Sequence, residues 1–163
     1  LGTGASQAQE YNNEVAQAEA QQKERNAKMA DMVTSETVTV LNSPEAIAAG
    51  KETFIKNCAA CHGQNGEGLV GPNLTDEFWI HGGGIKNVFT TVTNGVPAKG
   101  MISWKAQLSP KKIQEVASFV LSLQGSKPAN GKEPQGDKWV DDSAPKDSTA
   151  APAVDSTSTA VVK

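Results

Sequence analysis

Cys58, Ala59, Ala60, Cys61 and His62 form a C-x-x-C-H run, the pattern of covalent c-type haem attachment. Two thiols two residues apart near a helix end can add to the two vinyl groups on one haem edge. The adjoining histidine is then close enough to ligate the iron from one face. The chain has two cysteines, and this run uses both. Two other chemistries use a C-x-x-C pair. A thiol–disulfide redox site usually follows a strand in a βαβ pattern, and none surrounds residue 58. A zinc site needs two further ligands, and the two histidines, His62 and His81, are the candidates. The haem reading is favoured over both.

Haem iron has a second axial position. Met101, His81, Met29, Met32 or no residue at all could fill it. Met101 lies in a loop with Pro97 and Gly100, which can reach across the haem face opposite His62. A lone Met is otherwise a gap-filler in a core. His81 follows Trp79-Ile80 too soon to cross to the far face, and Met29 and Met32 lie far outside the segment around the motif. Met101 is therefore favoured, with Trp104 beside the cofactor. A closed His/Met iron raises the reduction potential and suits electron transfer rather than oxygen binding or substrate chemistry.

The elements that must position these residues are helical. Ser43-Pro44-Glu45 is a start signal: a capping serine, a proline suited to the first turn and an acid near the positive helix end. The helix runs through Ile47, Gly50, Phe54 and Ile55 towards Cys58, with the three large apolar residues on one face. Gly50 in mid-helix costs stability relative to Ala, and a close helix contact would justify it. Gly63, Gly66, Gly68 and Gly71 match neither a P-loop nor a dinucleotide fingerprint. They suit a chain turning tightly against a cofactor plane. Thr75 or Asp76 could cap a short helical turn holding Phe78, Trp79 and Ile80. A second helix is expected over 85–93, its face made by Ile85, Val88, Phe89 and Val92. Ser109-Pro110 starts a last helix that ends near Gln124. Its face is Ile113, Val116, Ala117, Val120 and Leu123, with Phe119 alongside. No strand is needed between residues 43 and 125, so the domain is read as all-α.

The flanks differ in kind. Residues 1–9 read as mobile. Glu10 to Met32 is rich in Ala, Gln, Glu and Lys, with apolar residues too sparse for a core stripe, and reads as a polar helical spacer. Thr37 to Leu41 alternates like a strand but is too short to build a sheet alone. From Ser126 onward Pro, Gly, Ser, Thr, Ala and Asp dominate. Trp139 could tack residues 126–140 onto the domain, and residues 141–163 read as a disordered tail. The expected division is a linker over 1–42, a monohaem domain over 43–125 and an extension with tail over 126–163.

The 163-residue chain carries 15 Lys+Arg against 18 Asp+Glu, net −3, which does not suggest nucleic-acid binding. Aromatic residues are 5% of the total, and a haem would compensate by offering a large apolar plane to fold around. No apolar run reaches the ~18 residues of a membrane span, and no signal peptide is evident. The first residue, Leu1, suggests a processed or excised chain. The sparing use of cysteine, with both thiols in the attachment run, fits an extracytoplasmic setting.

Residues 43–125 resemble class I c-type cytochrome domains. The resemblance rests on Gly50 and Phe54, the Cys58/Cys61/His62 run, Gly71 to Leu74, the Met101 loop and the last helix with Phe119. It implies one covalent haem c, crossing first and last helices with Gly50 at the contact, and a Pro72 carbonyl that accepts a hydrogen bond from His62. The stretches 71–83 and 100–104 further resemble the haem domain of the membrane-anchored dihaem subunit of cbb3-type cytochrome oxidases, subunit III or P subunit. That subunit usually has two such motifs and a transmembrane helix, whereas this chain has one motif and no span. The kinship implies a relay domain on the periplasmic side of a bacterial inner membrane, membrane-tethered in the full protein. Its donor would be a cytochrome or quinol-oxidising complex, its acceptor the oxidase catalytic subunit. A free periplasmic electron carrier is the alternative, and a sensory or enzymatic haem protein with open iron is a third. Lys86, Lys99 and Lys105 flank the segments expected to cover the distal side, where they could steer a partner or be ordinary solvated lysines.

Overall fold

A computed structural model describes residues 7–30 and 32–140. The tail expected over 141–163 lies outside the described residues. Helix α1 spans Gln7–Ala30, so residues 7–9, read as mobile, are helical. Every described side chain of α1 is exposed, in keeping with its polar sequence. Its own order comes from local pairs such as Lys28 Nζ with Glu24, 2.8 Å apart and one turn away.

Three helices make the core. Helix α2 is Pro44–Asn57, α4 is Gly84–Asn94 and α5 is Pro110–Ser122. A single turn, α3 (Ala59–His62), follows α2 at once. The two expected serine caps are made: Ser43 Oγ accepts from the Ala46 N–H at 3.2 Å and Ser109 Oγ from the Lys112 N–H at 3.4 Å. Phe54, Val88, Phe89, Val92, Ile113, Val116, Ala117, Phe119 and Val120 are buried together. Phe54 and Phe119 meet with ring centroids 5.4 Å apart and planes tilted by 58°, the inclined geometry that aromatic pairs favour. Ile55, expected on the inner face of α2, lies at the surface. It sits about 100° around the helix from Phe54, and both cannot point inward.

Helix α5 is buried over every residue from Ile113 to Val120, polar ones included. The chain between α1 and α2 explains this. Thr37 to Leu41 forms no strand; it packs along α5 with Val38 buried in the core. Gln114 Nε2 donates to the Thr39 carbonyl at 2.8 Å, and Ser118 Oγ accepts from the Leu41 N–H at 3.0 Å. Buried polar side chains thus satisfy an extended backbone that has no strand partner.

The described residues do contain one small sheet. Phe78–Trp79 is β1, paired antiparallel with β2, Asp137–Lys138. The helical turn expected at 78–80 is therefore a correction: these aromatics suit an extended chain, and the partner comes from the extension. Asp76 accepts the Phe78 N–H at 2.9 Å, which turns the chain into the strand. Trp139 does pin the extension down. Its N–H donates to the Glu77 carbonyl at 2.8 Å, and a Cβ at Gly83 would lie 2.6 Å from its ring.

Gly50 is where α2 meets α5. A Cβ there would strike the Glu115 carbonyl and stand 2.9 Å from Phe119 Cβ. Gly50→Ala is expected to destabilise the protein by about 1–3 kcal/mol despite Ala's better helix propensity. Denaturant unfolding measures this, and a Gly50→Ala protein as stable as the parent would show that the helices can part without cost.

Candidate haem-binding site

The motif begins where α2 ends. The Cys58 N–H still donates to the Phe54 carbonyl at 2.8 Å, and the Cys58 carbonyl accepts from Cys61 at 3.1 Å and His62 at 3.0 Å. Cys58, Cys61 and His62 therefore sit on one continuous turn, fixed by the buried Phe54. Cys58 is half-buried and Cys61 exposed, and the two are not joined in a disulfide. Burial, and then the nearby Cys61, push the Cys58 thiol up to about 11. The reactive thiol of a thiol–disulfide site is marked by the opposite shift. Among the described residues no group of three or more His, Cys, Asp or Glu could hold a metal ion. The zinc alternative has no ligand set among the described residues.

His62 Nδ1 lies 3.0 Å from the Pro72 carbonyl oxygen. A carbonyl only accepts, so Nδ1 carries the proton and the Nε2 lone pair is left for a metal. Burial lowers the pKa of His62, the Pro72 contact opposes that shift, and the charge of Lys132 adds to it. The neutral imidazole that a metal requires is favoured.

Glycines bring the loop this close. A Cβ at Gly71 would lie 2.8 Å from His62 Cε1 and 2.9 Å from Nδ1. Gly68 has φ +85°, left-handed backbone that a glycine adopts freely. The loop closes back on the motif: Gly68 N–H donates to the His62 carbonyl at 2.7 Å, and Leu69 and Gly71 N–H groups to the Cys61 carbonyl at 3.1 and 2.8 Å. Asn73 then accepts from both the N–H and the hydroxyl of Thr75, at 2.9 and 2.7 Å.

Met101 and Trp104 are placed by the loop after α4. Val96 and Met101 exchange backbone hydrogen bonds of 2.8 and 3.2 Å around a 3-10 turn, Pro97–Lys99. Ser103 Oγ donates to the Thr93 carbonyl and the Trp104 N–H to the Val92 carbonyl, at 2.7 and 3.2 Å. Both side chains are half-buried against the same core as Cys58, Leu74 and Trp79. Met29 and Met32 are 68% and 73% exposed, and His81 is exposed.

One polar atom tests whether this chain fits a haem. Trp79 Nε1 is a buried side-chain atom with no protein partner among the described residues. An indole N–H needs an acceptor when buried, and a haem propionate has one to offer. With an attachment turn, an oriented imidazole and an apolar surround, the residues present fit the group. Sequence reasoning passed over Trp79 as a polar contact and Lys132 altogether. Trp79 was one aromatic among three apolar neighbours, and Lys132 a single lysine in a Pro- and Gly-rich stretch.

These parts have the arrangement expected of a c-type haem attachment site. Residues 45–120 match the family described as cytochrome C oxidase, cbb3-type, subunit III. The cbb3-type cytochrome c oxidase subunit FixP of Bradyrhizobium sp. (strain ORS 278) is 42% identical over 83 residues, 49% of this chain and 28% of that protein. Subunit CcoP of Azospirillum sp. (strain B510) is 31% identical over 157 residues, 85% of this chain and 52% of that one. Among solved structures, cytochrome CL from Methylophaga aminisulfidivorans MPT is 29% identical with a TM-score of 0.48, over 51% of this chain and 56% of that chain. The chain spans about half the length, or less, of the curated relatives it matches. It contains a cytochrome c domain resembling that of the cbb3 P subunit, and the cofactor of such a domain is covalent haem c.

Thioether attachment at Cys58 and Cys61 has a direct test. Haem is expected to stay with the polypeptide through acid–acetone extraction, and to be released from a Cys58→Ala, Cys61→Ala double variant. Haem found in the solvent from the unmutated chain would reject covalent attachment.

Proposed function

We propose that residues 43–125 form a monohaem electron-transfer domain that acts as a relay in a cbb3-type cytochrome oxidase and performs no substrate chemistry itself. The observation that carries this reading is the match of residues 45–120 to subunit III of that oxidase. The oriented His62 imidazole and the half-buried Met101 support it, because together they would leave no open position for a substrate on a bound iron. In this reading Cys58 and Cys61 would hold the cofactor as thioethers, and His62 and Met101 would ligate its iron. Pro72 orients the proximal ring and Trp104 packs beside the cofactor. Bound haem c supplies a one-electron iron couple. The protein's part would be to hold His62 and Met101 in place by the loop contacts around them.

The domain would work on the periplasmic side of a bacterial inner membrane. It would receive electrons from a donor cytochrome or a quinol-oxidising complex and deliver them to the oxidase catalytic subunit. No helix among the described residues is long and apolar enough to cross a membrane. Of the three lysines considered for steering, Lys86 is 3.9 Å from Glu36, both exposed. Lys99 and Lys105 are exposed on either side of Met101.

Met101 decides between relay and reactive iron. A thioether is a soft, neutral ligand that favours ferrous iron. Met101→Ala is expected to lower the reduction potential and to let the ferrous protein bind carbon monoxide, while the unmutated protein does not bind it. The weak red absorption of ferric iron–methionine ligation should disappear in the variant. Its survival would assign the ligand to another methionine, and carbon monoxide binding by the unmutated protein would favour a sensor or enzyme.

Charge reversal at Lys99 and Lys105 tests the partner surface. Reduction by the physiological donor should slow at low salt and recover towards the parent rate at high salt, as screening removes the difference. Rates equal to the parent's at every ionic strength would make these lysines ordinary surface residues.

A further inference from the structure

Lys132 lies in the extension, yet its ammonium reaches the loop beside His62. Nζ is 3.1 Å from the Leu69 carbonyl oxygen, 3.2 Å from that of Val70 and 3.2 Å from that of Gly71. An ammonium has three N–H donors, and here each has a carbonyl. The backbone of Lys132 is held on both sides. Its N–H donates to the Glu67 carbonyl at 2.8 Å, and its carbonyl accepts from Asn73 Nδ2 at 3.0 Å. Among the described residues no carboxylate lies within ion-pair distance of it. The charge is directed at the loop alone.

The loop is thus bonded on two faces. Leu69 and Gly71 direct their N–H groups at the Cys61 carbonyl and their C=O groups at Lys132. The next carbonyl, that of Pro72, turns to His62 Nδ1. Four successive carbonyls, 69 to 72, are divided between one ammonium and one imidazole. A surface lysine that merely capped a loose loop would need neither a fixed backbone nor three acceptors.

We propose that Lys132 is a positioning residue for the proximal histidine: by gathering the carbonyls of 69–71 it holds the Pro72 carbonyl on His62 Nδ1. The proposal rests on the reading of His62 as an axial ligand. The haem-loaded full chain is compared with Lys132→Met, which keeps the stem and removes the donors. A control, Lys138→Met, breaks the Lys138–Glu77 pair of 2.7 Å on the same extension but touches no loop carbonyl. Nuclear magnetic resonance reads exchange of the His62 Nδ1 proton and the paramagnetically shifted His62 ring signals of the oxidised protein. In Lys132→Met the proton is expected to exchange roughly tenfold faster, a weakening of about the net worth of one hydrogen bond at His62 Nδ1, and the ring signals to move. Lys138→Met leaves both as in the parent. Unchanged exchange and ring signals in Lys132→Met, or equal changes in Lys138→Met, overturn the proposal. If Lys132→Met yields no haem-loaded protein, Lys132→Arg carries the test, since it keeps N–H donors. Slow exchange in it supports the proposal, and fast exchange overturns it. Absence of shifted His62 signals in the unmutated oxidised protein overturns the ligand reading instead.

Discussion

Two backbones touching at Gly50 set the geometry on which the rest depends. Helix α5 is the axis of the domain, buried from Ile113 to Val120. Helix α2 can approach it because residue 50 places no side chain in the way of the Glu115 carbonyl. One turn further along, Phe54 fills the space beside Phe119. One turn further still, the Cys58 N–H is bonded to the Phe54 carbonyl, and the attachment turn begins. A wedge at Gly50 would tilt α2 about α5, and the displacement would grow towards Cys58. The helix crossing and the placement of the thiols are one constraint.

The segment after the motif has little apolar surface to hold it. Leu69 and Val70 are 57% and 80% exposed. Its order comes from hydrogen bonding instead, with most of its backbone groups paired within the protein. The Cys61 carbonyl takes two N–H groups, Lys132 three carbonyls, and Asn73 the turn at Thr75. Glycines at 63, 66 and 68 adopt the left-handed angles that let N–H and C=O groups face opposite ways. The loop beside His62 is held by polar contacts, whereas the helices behind it are held by packing.

That division explains what could be read from residues alone. The starts of α2 and α5 carry local signals, Ser43-Pro44 and Ser109-Pro110, each complete within four residues. The glycine at the helix crossing stood out because it interrupts a good helix. The C-x-x-C-H run is itself local. Most of what escaped depends on partners far along the chain. Phe78 and Trp79 are a strand because Asp137 and Lys138 lie beside them, and nothing near residue 78 announces it. Gln114 and Ser118 look like breaks in an apolar face until Thr39 and Leu41 are seen to need them. Ile55 was assigned inward by proximity to Phe54, where one residue is enough to turn a side chain away.

The contacts between Lys132 and the loop join residues 61 to 63 positions apart. A chain made N-terminus first therefore exposes Cys58, Cys61 and His62 well before the segment that fastens the loop exists. During that interval the loop has its N–H partners on Cys61 and His62 but no anchor for its outward carbonyls. Closing so long a circuit is slow relative to forming a helix. The fold thereby separates two events in time: the attachment turn is assembled early from neighbours in sequence, and the brace behind its histidine arrives last.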